Sequence, residues 1–428
     1  MGFTYEDAIS YINSLYNYEK DAQRISAPEF HIKSIRQLLT LLGNPQDQYA
    51  TIHIAGTKGK GSTTAFLTSI LISAGYTVGT YTSPHLINVL ERIAIDGEPI
   101  DKELFTKSVK SISENLGSRP KEYATFFEAL TAVAFLAFRE KGIDIAVVET
   151  GLGGTYDATN IIKPNIAAIT RIGLDHMDRL GNTIQEIACD KAGIIKNGVT
   201  AVIGKQEKSA LNKILLHCGK VNAKSIVCNR DFEFSIVDFD ITGTEFELEY
   251  SGIRKRYRIN CPGIFQLENA SIATVIAKIL GINESAIESG LETTQIRGRF
   301  QIIDKNPLVI LDSAHNATSA SAITKEIKLF KLKPVVFIIG INRLKDYQSM
   351  LEEWAPVACK FIFTSTGSLR EYDPNLLKKT GEKLGVDSCV ICDQSEALAK
   401  AKALAGENGV VFIAGSLYLA GKILSITS

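Results

Sequence analysis

The sequence predicts an α/β protein with a doubly wound, mostly parallel sheet, a small antiparallel sheet and a smaller C-terminal α/β domain of the Rossmann-like type. Short, continuously apolar segments alternate with helical patterns along most of the chain, as strands buried on both faces do. One such segment runs into a glycine-rich turn and a helix, the pattern of a phosphate loop. A later stretch alternates apolar and polar residues, which indicates antiparallel strands with one wet face.

The parallel strands of the first domain are predicted from its short apolar segments. They cover residues 51–55, 76–81, 143–149, 166–170 and 199–203, with helical patterns between them at 125–139 and 183–195. The alternating stretch at 231–260 has its clearest strands at 232–237 and 246–250, and a helix follows at 266–279. This order of elements predicts the doubly wound layout.

The second domain is predicted from a change of pattern near residues 293–299, where a helix gives way to a charged stretch containing glycine. We therefore place the two domains at residues 1–296 and 297–428, and the second has an ordinary domain size of about 130 residues. Its predicted parallel strands are 308–311, 334–339, 360–364 and 410–413.

The balance of charges excludes two classes of partner. Lys and Arg total 47, as do Asp and Glu, so the formal net charge is zero, and we expect neither nucleic acid nor an anionic membrane as a partner. No apolar stretch approaches the ~20 residues that span a bilayer. We expect a cytoplasmic monomer that acts on small molecules.

The seven cysteines are scattered and odd in number, which favours reduced thiols over a disulfide framework. Cys389 and Cys392 have a spacing that metal sites use. In a strand-like segment, however, residues three apart face opposite sides, so we interpret these two cysteines as packing residues.

The glycine-rich turn carries two lysines and three hydroxyls. Glycines allow backbone N–H groups to surround phosphate oxygens, the start of the helix favours anions, and Lys60 can reach the β- and γ-phosphates of a nucleotide. Ser62 or Thr63 can hold Mg²⁺, although Gly61 separates Lys60 from the first of these hydroxyls. The alternative is an ordinary tight turn, which rarely needs so many polar side chains. The loop consists of Gly56, Thr57, Lys58, Gly59, Lys60, Gly61, Ser62 and Thr63.

Polar residues also follow other predicted strands, at the edge where doubly wound sheets bind ligands. Glu149 ends a strand before a glycine cluster, where a carboxylate suits Mg²⁺ or caps a helix. His176 also follows a predicted strand and is flanked by Asp175 and Asp178. It could be a metal ligand or a base, or an ordinary histidine that is packed or exposed. Ser83 follows a third strand and could bind a metal or a substrate.

The second domain and its junction supply three further candidates. Asp312 and His315 follow a predicted strand, where they suit ribose, phosphate or a second substrate, but equally a capped turn. Arg299, at the domain junction, could reach nucleotide phosphates across a cleft or simply be solvated.

Two further features have an ordinary structural interpretation beside the functional one. Phe126 and Phe127 open a helix and could line a pocket for a flat aromatic ligand, or belong to the core, which is commoner for aromatic residues. Lys191 by itself fits a solvated helix face, because a metal nearby would repel its ammonium group.

In this order, the motifs resemble those of the folylpolyglutamate synthase/dihydrofolate synthase family, within the Mur-type ATP-dependent ligases. The resemblance runs nearly from end to end of the chain. The matching segments are residues 56–63, 82–86, 126–128, 149–160, 174–195, 266–270, 298–301, 312–316 and 415–419.

The resemblance implies an ATP-dependent amide ligase. ATP phosphorylates a carboxylate of a folate, and possibly of dihydropteroate, and the α-amino group of L-glutamate attacks the resulting acyl phosphate. The implied catalytic residues are Lys60, Lys191 and His315, with Lys191 carbamylated so that a cation becomes an anion. The implied ATP contacts are the phosphate loop, Asn269, Arg299 and Asp312; the Mg²⁺ ligands are Ser83, Glu149 and His176; and the substrate contacts are Phe126, Phe127, Asp157 and Ser416.

Three positions depart from the family pattern. Phe265 stands where the family often has His, Leu344 where it has Asp, and Thr155 where many members have Arg. None of them is an expected metal ligand, so the departures concern nucleotide affinity and substrate preference.

Three other functions are alternatives. A Mur-type ligase could act on a peptidoglycan precursor, although the form of the phosphate loop favours the folate branch. A non-catalytic nucleotide-binding protein is a second alternative. Four intact residues argue against it: Lys60, Glu149, His176 and Lys191. A mechanical or regulatory NTPase is a third, and no sequence feature indicates a switch. The sequence leaves open whether dihydropteroate is accepted and how many glutamates are added.

Overall fold

Three β-sheets organise the described residues, and two of them are large and mostly parallel. The computed structural model describes residues 2–18, 28–117, 124–368 and 370–427, with 28–31 as backbone only. The strands are β1 (Ala50–Ala55), β2 (Val78–Tyr81), β3 (Ile93–Ile95), β4 (Glu98–Pro99), β5 (Ile145–Glu149), β6 (Ile166–Ile169), β7 (Thr200–Ile203), β8 (Lys224–Val227), β9 (Phe232–Asp240), β10 (Gly243–Tyr250), β11 (Ile253–Ile259), β12 (Gln301–Lys305), β13 (Leu308–Leu311), β14 (Val335–Ile339), β15 (Lys360–Phe363), β16 (Asp387–Val390) and β17 (Val410–Ala414).

Helices cover the faces of the sheets. They are α1 (Tyr5–Ser14), α2 (Pro28–Leu41), α3 (Lys60–Ser73), α4 (Lys102–Leu116), α5 (Phe126–Lys141), α6 (Met177–Leu180), α7 (Ile184–Ala192), α8 (Lys208–Lys220), α9 (Gln266–Ile279), α10 (Glu284–Thr293), α11 (Ala317–Leu329), α12 (Tyr347–Trp354), α13 (Pro374–Lys383), α14 (Gln394–Ala405) and α15 (Leu417–Thr427). Short 3₁₀ helices lie at Pro45–Asp47, Val89–Arg92, Ala158–Ile161 and Ala355–Val357. Within the described ranges, no helix is long and apolar enough to cross a membrane.

The first sheet has the order β4-β3-β2-β5-β1-β6-β7-β8. The six neighbouring strands β2, β5, β1, β6, β7 and β8 are parallel to one another. The predicted doubly wound layout is therefore confirmed. Helices α1, α2, α4 and α5 cover one face, and α3, α9 and α10 cover much of the other. The register pairs Ile54 of β1 with Glu149 of β5, so the carboxylate lies beside the start of the phosphate loop.

The antiparallel edge formed by β3 and β4 is not among the sequence predictions. Asp96 and Gly97 join the two strands, and both have positive φ angles, of 50° and 84°. A two-residue turn in which both φ angles are positive is the kind that joins the strands of a tight β-hairpin. The Asp-Gly pair was the available signal, but strands of three and two residues are too short to show a pattern.

The small sheet has the order β11-β10-β9 and is antiparallel, as predicted. Phe246 and Leu248 of β10 are buried against the layer that contains α9 and α10. Between them, the Glu247 side chain faces outward and pairs with Arg254 at 3.4 Å. The alternation of apolar and polar residues therefore does mark one buried and one wet face.

The C-terminal sheet has the order β12-β13-β17-β14-β15-β16. The predicted strands are present and parallel, but β12 adds an antiparallel edge because the turn Asn306-Pro307 folds it directly back onto β13. All seven cysteines are free thiols. Cys389 lies on β16 and Cys392 lies beyond its end, where it is exposed.

The carboxyl ends of β1, β5 and β6 and those of β13, β14 and β17 line one cleft of about 2570 Å³. Outside the cleft, the second domain contacts the first through α11. The backbone N–H of Ile264 donates to the carboxylate of Glu326 at 3.1 Å, and the rings of Phe239 and Phe330 lie 5.9 Å apart. Residues that follow strands of both domains therefore face a shared space.

Candidate active site

The phosphate loop connects β1 to α3, which begins at Lys60. Gly59 has a left-handed φ of 91°, and a Cβ there would lie 2.1 Å from Oδ1 of Asn269 on α9. At Gly56 a Cβ would lie 1.9 Å from Oγ1 of Thr170. Only glycine fits at these two positions, and the first turn of α3 presents N–H groups that have no acceptor within the helix. The loop therefore has the backbone of an anion site.

The residues of the loop divide into two groups. The N–H groups of Thr57 and Lys58 both donate to the carbonyl of Arg171, at 3.0 and 3.1 Å, and so fix the shape of the loop. Thr63 is completely buried and does not line the cleft, so the expectation that its hydroxyl holds a metal has no geometric support. Lys60 and Ser62 do line the cleft, and they are the side chains available to phosphate and metal.

An ion pair between the partly buried Lys60 and the buried Glu149 joins the loop to β5. Nζ of Lys60 lies 3.7 Å from Oε1 of Glu149. Burial raises the pKa of Glu149, and the opposing influences are Lys60, the backbone N–H of Ser83 and the charge of Arg299. A Cβ at Gly61 would lie 3.4 Å from Oε2 of Glu149. The extra glycine in the loop thus gives the carboxylate room beside the helix start.

Lys191 is buried, so the prediction of a solvated helix face is wrong. It is 3% exposed, and burial together with the charge of Lys60 lowers its pKa to about 7. The backbone of the glycine cluster packs directly on α7, since a Cβ at Gly154 would lie 2.7 Å from Cα of Lys191. Lys60, Lys191 and His176 line a small cavity of about 40 Å³. A buried amine that is largely neutral at physiological pH is reactive toward electrophiles.

The three expected metal ligands are only partly brought together. The backbone of Ser83 bonds to Glu149, whereas His176 lines the small cavity. His176 has a left-handed backbone conformation and an exposed side chain, and partial desolvation lowers its pKa against the influence of Asp175 and Asp178. Among the described residues, no three His, Cys, Asp or Glu side chains converge. The oxygens of Glu149 and Ser83 nevertheless fit a hard cation that keeps water and phosphate ligands.

Aromatic and acidic side chains form a flat pocket on the other side of the cleft. The ring of Phe127 lies against Gly151, where a Cβ would come within 2.4 Å of Cζ, and 5.9 Å from the ring of Tyr81. Phe126 is nearly buried under the guanidinium of Arg92, at 5.3 Å. The Asp157 carboxylate lies in the same wall and is 5% exposed. Phe127 and Asp157 are thus placed for a planar ligand with N–H donors.

The C-terminal candidates mostly bond to their own backbone. Asp312 accepts from the N–H groups of Phe300 and Ala314, at 2.9 and 2.8 Å. The Nδ1–H of His315 donates to the carbonyl of Ser313 at 3.0 Å, and burial lowers the pKa of His315 to about 4. Ser416 accepts from the N–H of Leu419 at 3.0 Å, as a helix cap does. All three expected residues line the cleft.

Arg299 connects the two sides. Its charge opposes the rise in pKa of both Glu149 and Asp312, which lie on different domains. Arg299 lines the cleft together with both of these carboxylates. Asn269, the remaining expected ATP contact, touches the phosphate loop at Gly59 and donates to Gln266 at 2.9 Å.

One cleft residue escaped the sequence reasoning. Arg92 is 1% exposed, lines the cleft and donates from Nε to Nδ1 of His85 at 2.9 Å. The available signal was a charged residue directly before the apolar segment of β3. That signal is weak, because charged residues often flank strands.

Comparison with known proteins gives a consistent result. The family models "Mur ligase middle domain" and "Mur ligase, glutamate ligase domain" match residues 54–277 and 298–417. A dihydrofolate synthase/folylpolyglutamate synthase of Bacillus subtilis is 34% identical over 420 residues, or 91% of this chain and 93% of that protein.

Solved structures are similar over almost the whole chain. A folylpolyglutamate synthase of Thermotoga maritima has a TM-score of 0.88 at 32% identity, over 99% of this chain and 96% of that one. E. coli FolC in complex with DHPP and ADP has a TM-score of 0.86 at 26% identity, over 99% and 97%.

Proposed function

The chain belongs to the Mur ligase family and, within it, to the folylpolyglutamate synthase/dihydrofolate synthase group, and on this premise we propose that it ligates L-glutamate to folate at the expense of ATP. The observation that carries the proposal is the cleft itself, in which the phosphate loop and its Lys60–Glu149 pair face the flat pocket of Phe127 and Asp157. A nucleotide and a planar heterocycle can therefore occupy one enclosed space.

The reaction proceeds through an acyl phosphate. A carboxylate oxygen of the folate attacks the γ-phosphorus of ATP, the bond to the β,γ-bridging oxygen breaks, and ADP leaves. Lys60 and the first turn of α3 stabilise the phosphate charges, and Arg299 reaches the same charges from the junction. Glutamate's neutral amine then attacks the acyl carbon, phosphate leaves, and the amine loses a proton. Enclosure between two domains limits hydrolysis of the intermediate.

Mg²⁺ would be held by Glu149 and Ser83, with His176 nearby, and would neutralise phosphate charge. We propose in addition that Lys191 is carbamylated. Its neutral amine would add to CO₂, forming an N–C bond and releasing one proton, and the product would carry a negative charge. Its burial and its pKa of about 7 support this step. Intact-mass measurement in bicarbonate and in CO₂-free buffer, alongside the wild type and Lys191→Met, tests it.

His315 is better suited to accepting a hydrogen bond than to removing the amine's proton. With a pKa of about 4 it is a weak base, and Nδ1 is committed to Ser313. Its Nε2 is left as the acceptor for the incoming ammonium or amine group. Ser416 lies on the same side of the cleft and would contact the glutamate or the nucleotide.

We also infer a monomer that works in the cytoplasm, with its domains divided at residues 296 and 297. Seven free thiols fit a reducing compartment. The two matched family domains lie on either side of the proposed division.

The test is a product assay with tetrahydrofolate and dihydropteroate in parallel, in which the number of added glutamates is read by mass. ADP release is expected only when both L-glutamate and a pterin substrate are present. Lys60→Ala serves as the inactive control. Absence of glutamate-dependent turnover with every pterin would refute the proposal, and turnover with a nucleotide-sugar peptide would instead favour the peptidoglycan branch.

A further inference from the structure

A chain of three buried polar side chains runs from the flat pocket into the first sheet. Asp157 lines the cleft, Thr159 follows it in a 3₁₀ helix, and His53 lies on β1. Nε2 of His53 lies 2.8 Å from Oγ1 of Thr159, and that hydroxyl lies 2.5 Å from Oδ1 of Asp157. His53 and Thr159 have no exposed surface, so neither of them touches a ligand.

The direction of these hydrogen bonds follows from the number of protons. The Thr159 hydroxyl has one hydrogen, and Asp157, in the ionised form that its hydrogen-bond donors favour, can only accept it. The hydroxyl oxygen must therefore accept from His53, which requires the proton of the imidazole to be on Nε2. Burial and the charge of Lys196 lower the pKa of His53 to about 3, so the ring is neutral at physiological pH.

The two oxygens of Asp157 accept from different groups, and the backbone of Gly151 also donates to the carboxylate. Oδ1 accepts from both the N–H and the hydroxyl of Thr159, at 2.9 and 2.5 Å. Oδ2 accepts from the N–H of Leu152 at 2.8 Å. The hydroxyl of Thr159 thus fixes the rotation of the carboxylate and leaves Oδ2 as the oxygen with capacity for a further donor.

Charges of both signs surround Asp157. Asp190 and Lys191, both on α7, act on it with opposite signs, and Lys196 lies on the far side near His53. Burial raises the pKa of Asp157, and hydrogen bonds from Thr159 and from the backbone of Leu152 and Gly151 oppose that rise. These hydrogen-bond donors favour the charged form of the buried Asp157 carboxyl group.

We propose that His53 and Thr159 are positioning residues, which keep the Asp157 carboxylate charged and turned so that Oδ2 accepts a hydrogen bond from an N–H group of the pterin ring. This inference rests on the proposed function, because it assigns the flat pocket to a pterin. It adds two buried residues, His53 and Thr159, that influence affinity for the pterin through Asp157 without contacting the pterin.

The test compares Thr159→Val with Thr159→Ser, which keeps the hydroxyl. Calorimetric titrations use tetrahydrofolate, dihydropteroate and, separately, ADP. Since a lost hydrogen bond to a charged group weakens binding about 10-fold, Thr159→Val is expected to bind the pterins about 10-fold more weakly. Thr159→Ser is expected to bind them within about twofold of the wild type. ADP affinity is expected to be unchanged in both.

A pH profile separates positioning from a general structural defect. Removing the hydroxyl donor raises the pKa of Asp157, so pterin binding by Thr159→Val weakens with acidification at a higher pH than in the wild type. Asp157→Asn lacks this carboxyl and is expected to show no such acid limb. His53→Leu weakens pterin binding by about threefold, whereas His53→Gln, which can still donate, does so less.

The outcomes separate this inference from the proposed function. If the wild type binds no pterin, the proposed function fails. If the wild type binds pterin and Thr159→Val binds it equally well, or loses ADP affinity in the same proportion, the positioning role is overturned. If Thr159→Val does not fold, the double variant His53→Leu/Thr159→Val, which leaves no unpaired imidazole donor, carries the same comparison.

Discussion

The two strand edges that face each other across the cleft use their charged residues in different ways. On the first domain, Lys60 lies beside the buried Glu149 and near the buried Lys191, and its charge opposes the rise in the pKa of Glu149 and helps to lower the pKa of Lys191. On the second domain, Asp312 and His315 bond to backbone groups of that domain, at Phe300, Ala314 and Ser313. The first edge concentrates charge for chemistry, whereas the second uses its polar groups to hold the shape of a surface.

Arg299 is the exception that connects the two edges. It lies at the junction and acts on a carboxylate of each domain. We therefore assign the reacting groups to the first domain and the groups that hold the loops of the cleft in place to the second. Arg299 is the residue whose charge acts on both domains. Variants on the two edges are expected to fail in different ways.

The largest effect is expected from Lys60→Ala. Loss of the cation that meets the phosphates lowers kcat by about 10²–10³-fold, with little change in the melting temperature. Lys58→Ala is the matched control, because Lys58 is in the same loop but is not paired with Glu149, and it is expected to lose less than about tenfold. Steady-state ADP release measures both. Equal losses would show that the loop acts only through its overall charge.

Arg299→Ala is expected to have the next largest effect. It removes the charge that crosses the cleft, so kcat/KM for ATP falls by about 10–100-fold. Arg297→Ala, which removes another cleft-lining arginine from the same junction, is expected to change kcat/KM by less than about threefold. If the two variants are indistinguishable, Arg299 does not connect the edges.

Asp312→Asn tests the shape-holding role of the second domain. An asparagine keeps one acceptor but turns a donor toward a backbone N–H, so the free energy of unfolding falls by about 2 kcal/mol. Denaturant unfolding measures this, with Asp47→Asn, at an exposed position in the 3₁₀ helix Pro45–Asp47, as the control. A large loss of kcat at unchanged stability would contradict the comparison and place Asp312 with the reactive residues.

Lys191→Met in CO₂-free buffer is expected to act in the opposite direction, as a gain of stability. The pKa of Lys191 is about 7 in the folded wild type and 10.5, the ordinary value, in the unfolded chain. Between pH 7 and pH 10.5 the lysine is therefore protonated in the unfolded chain and neutral in the folded one. Wild-type stability therefore falls as the pH drops from 10.5 to 7. The variant avoids this loss, so its advantage in melting temperature is full at pH 7 and disappears toward pH 10.5. If Lys191→Met instead melts at a lower temperature than the wild type at pH 7, the attraction of Lys191 to nearby carboxylates outweighs the cost of burying its amine.

The sequence predicted the sheets well, because a buried parallel strand is a continuous apolar segment. It predicted the phosphate loop and the strand-end residues Glu149 and Asp312 for the same local reason. The hairpin at Asp96-Gly97 and the antiparallel edge strand β12 escaped, since both depend on short strands whose partners a local pattern does not reveal.

The site was harder to predict because burial is a tertiary property. Lys191 has the sequence context of a surface lysine, and only the packing of the glycine cluster on α7 buries it. Thr63 has the context of a metal ligand, yet the turn of α3 directs it into the interior. The chain from His53 to Asp157 joins residues about a hundred positions apart, and no spacing rule connects them.

The contact between Phe127 and Gly151 also limits how this protein can evolve. An alanine at position 151 has no room while the phenylalanine ring occupies its place, because the added Cβ would lie 2.4 Å from Cζ. The ring must therefore move, or a smaller residue must replace it at position 127, before a side chain at position 151 has room. Either change alters the shape of the flat pocket, so substitution of this glycine is linked to a change in the pocket's substrate preference.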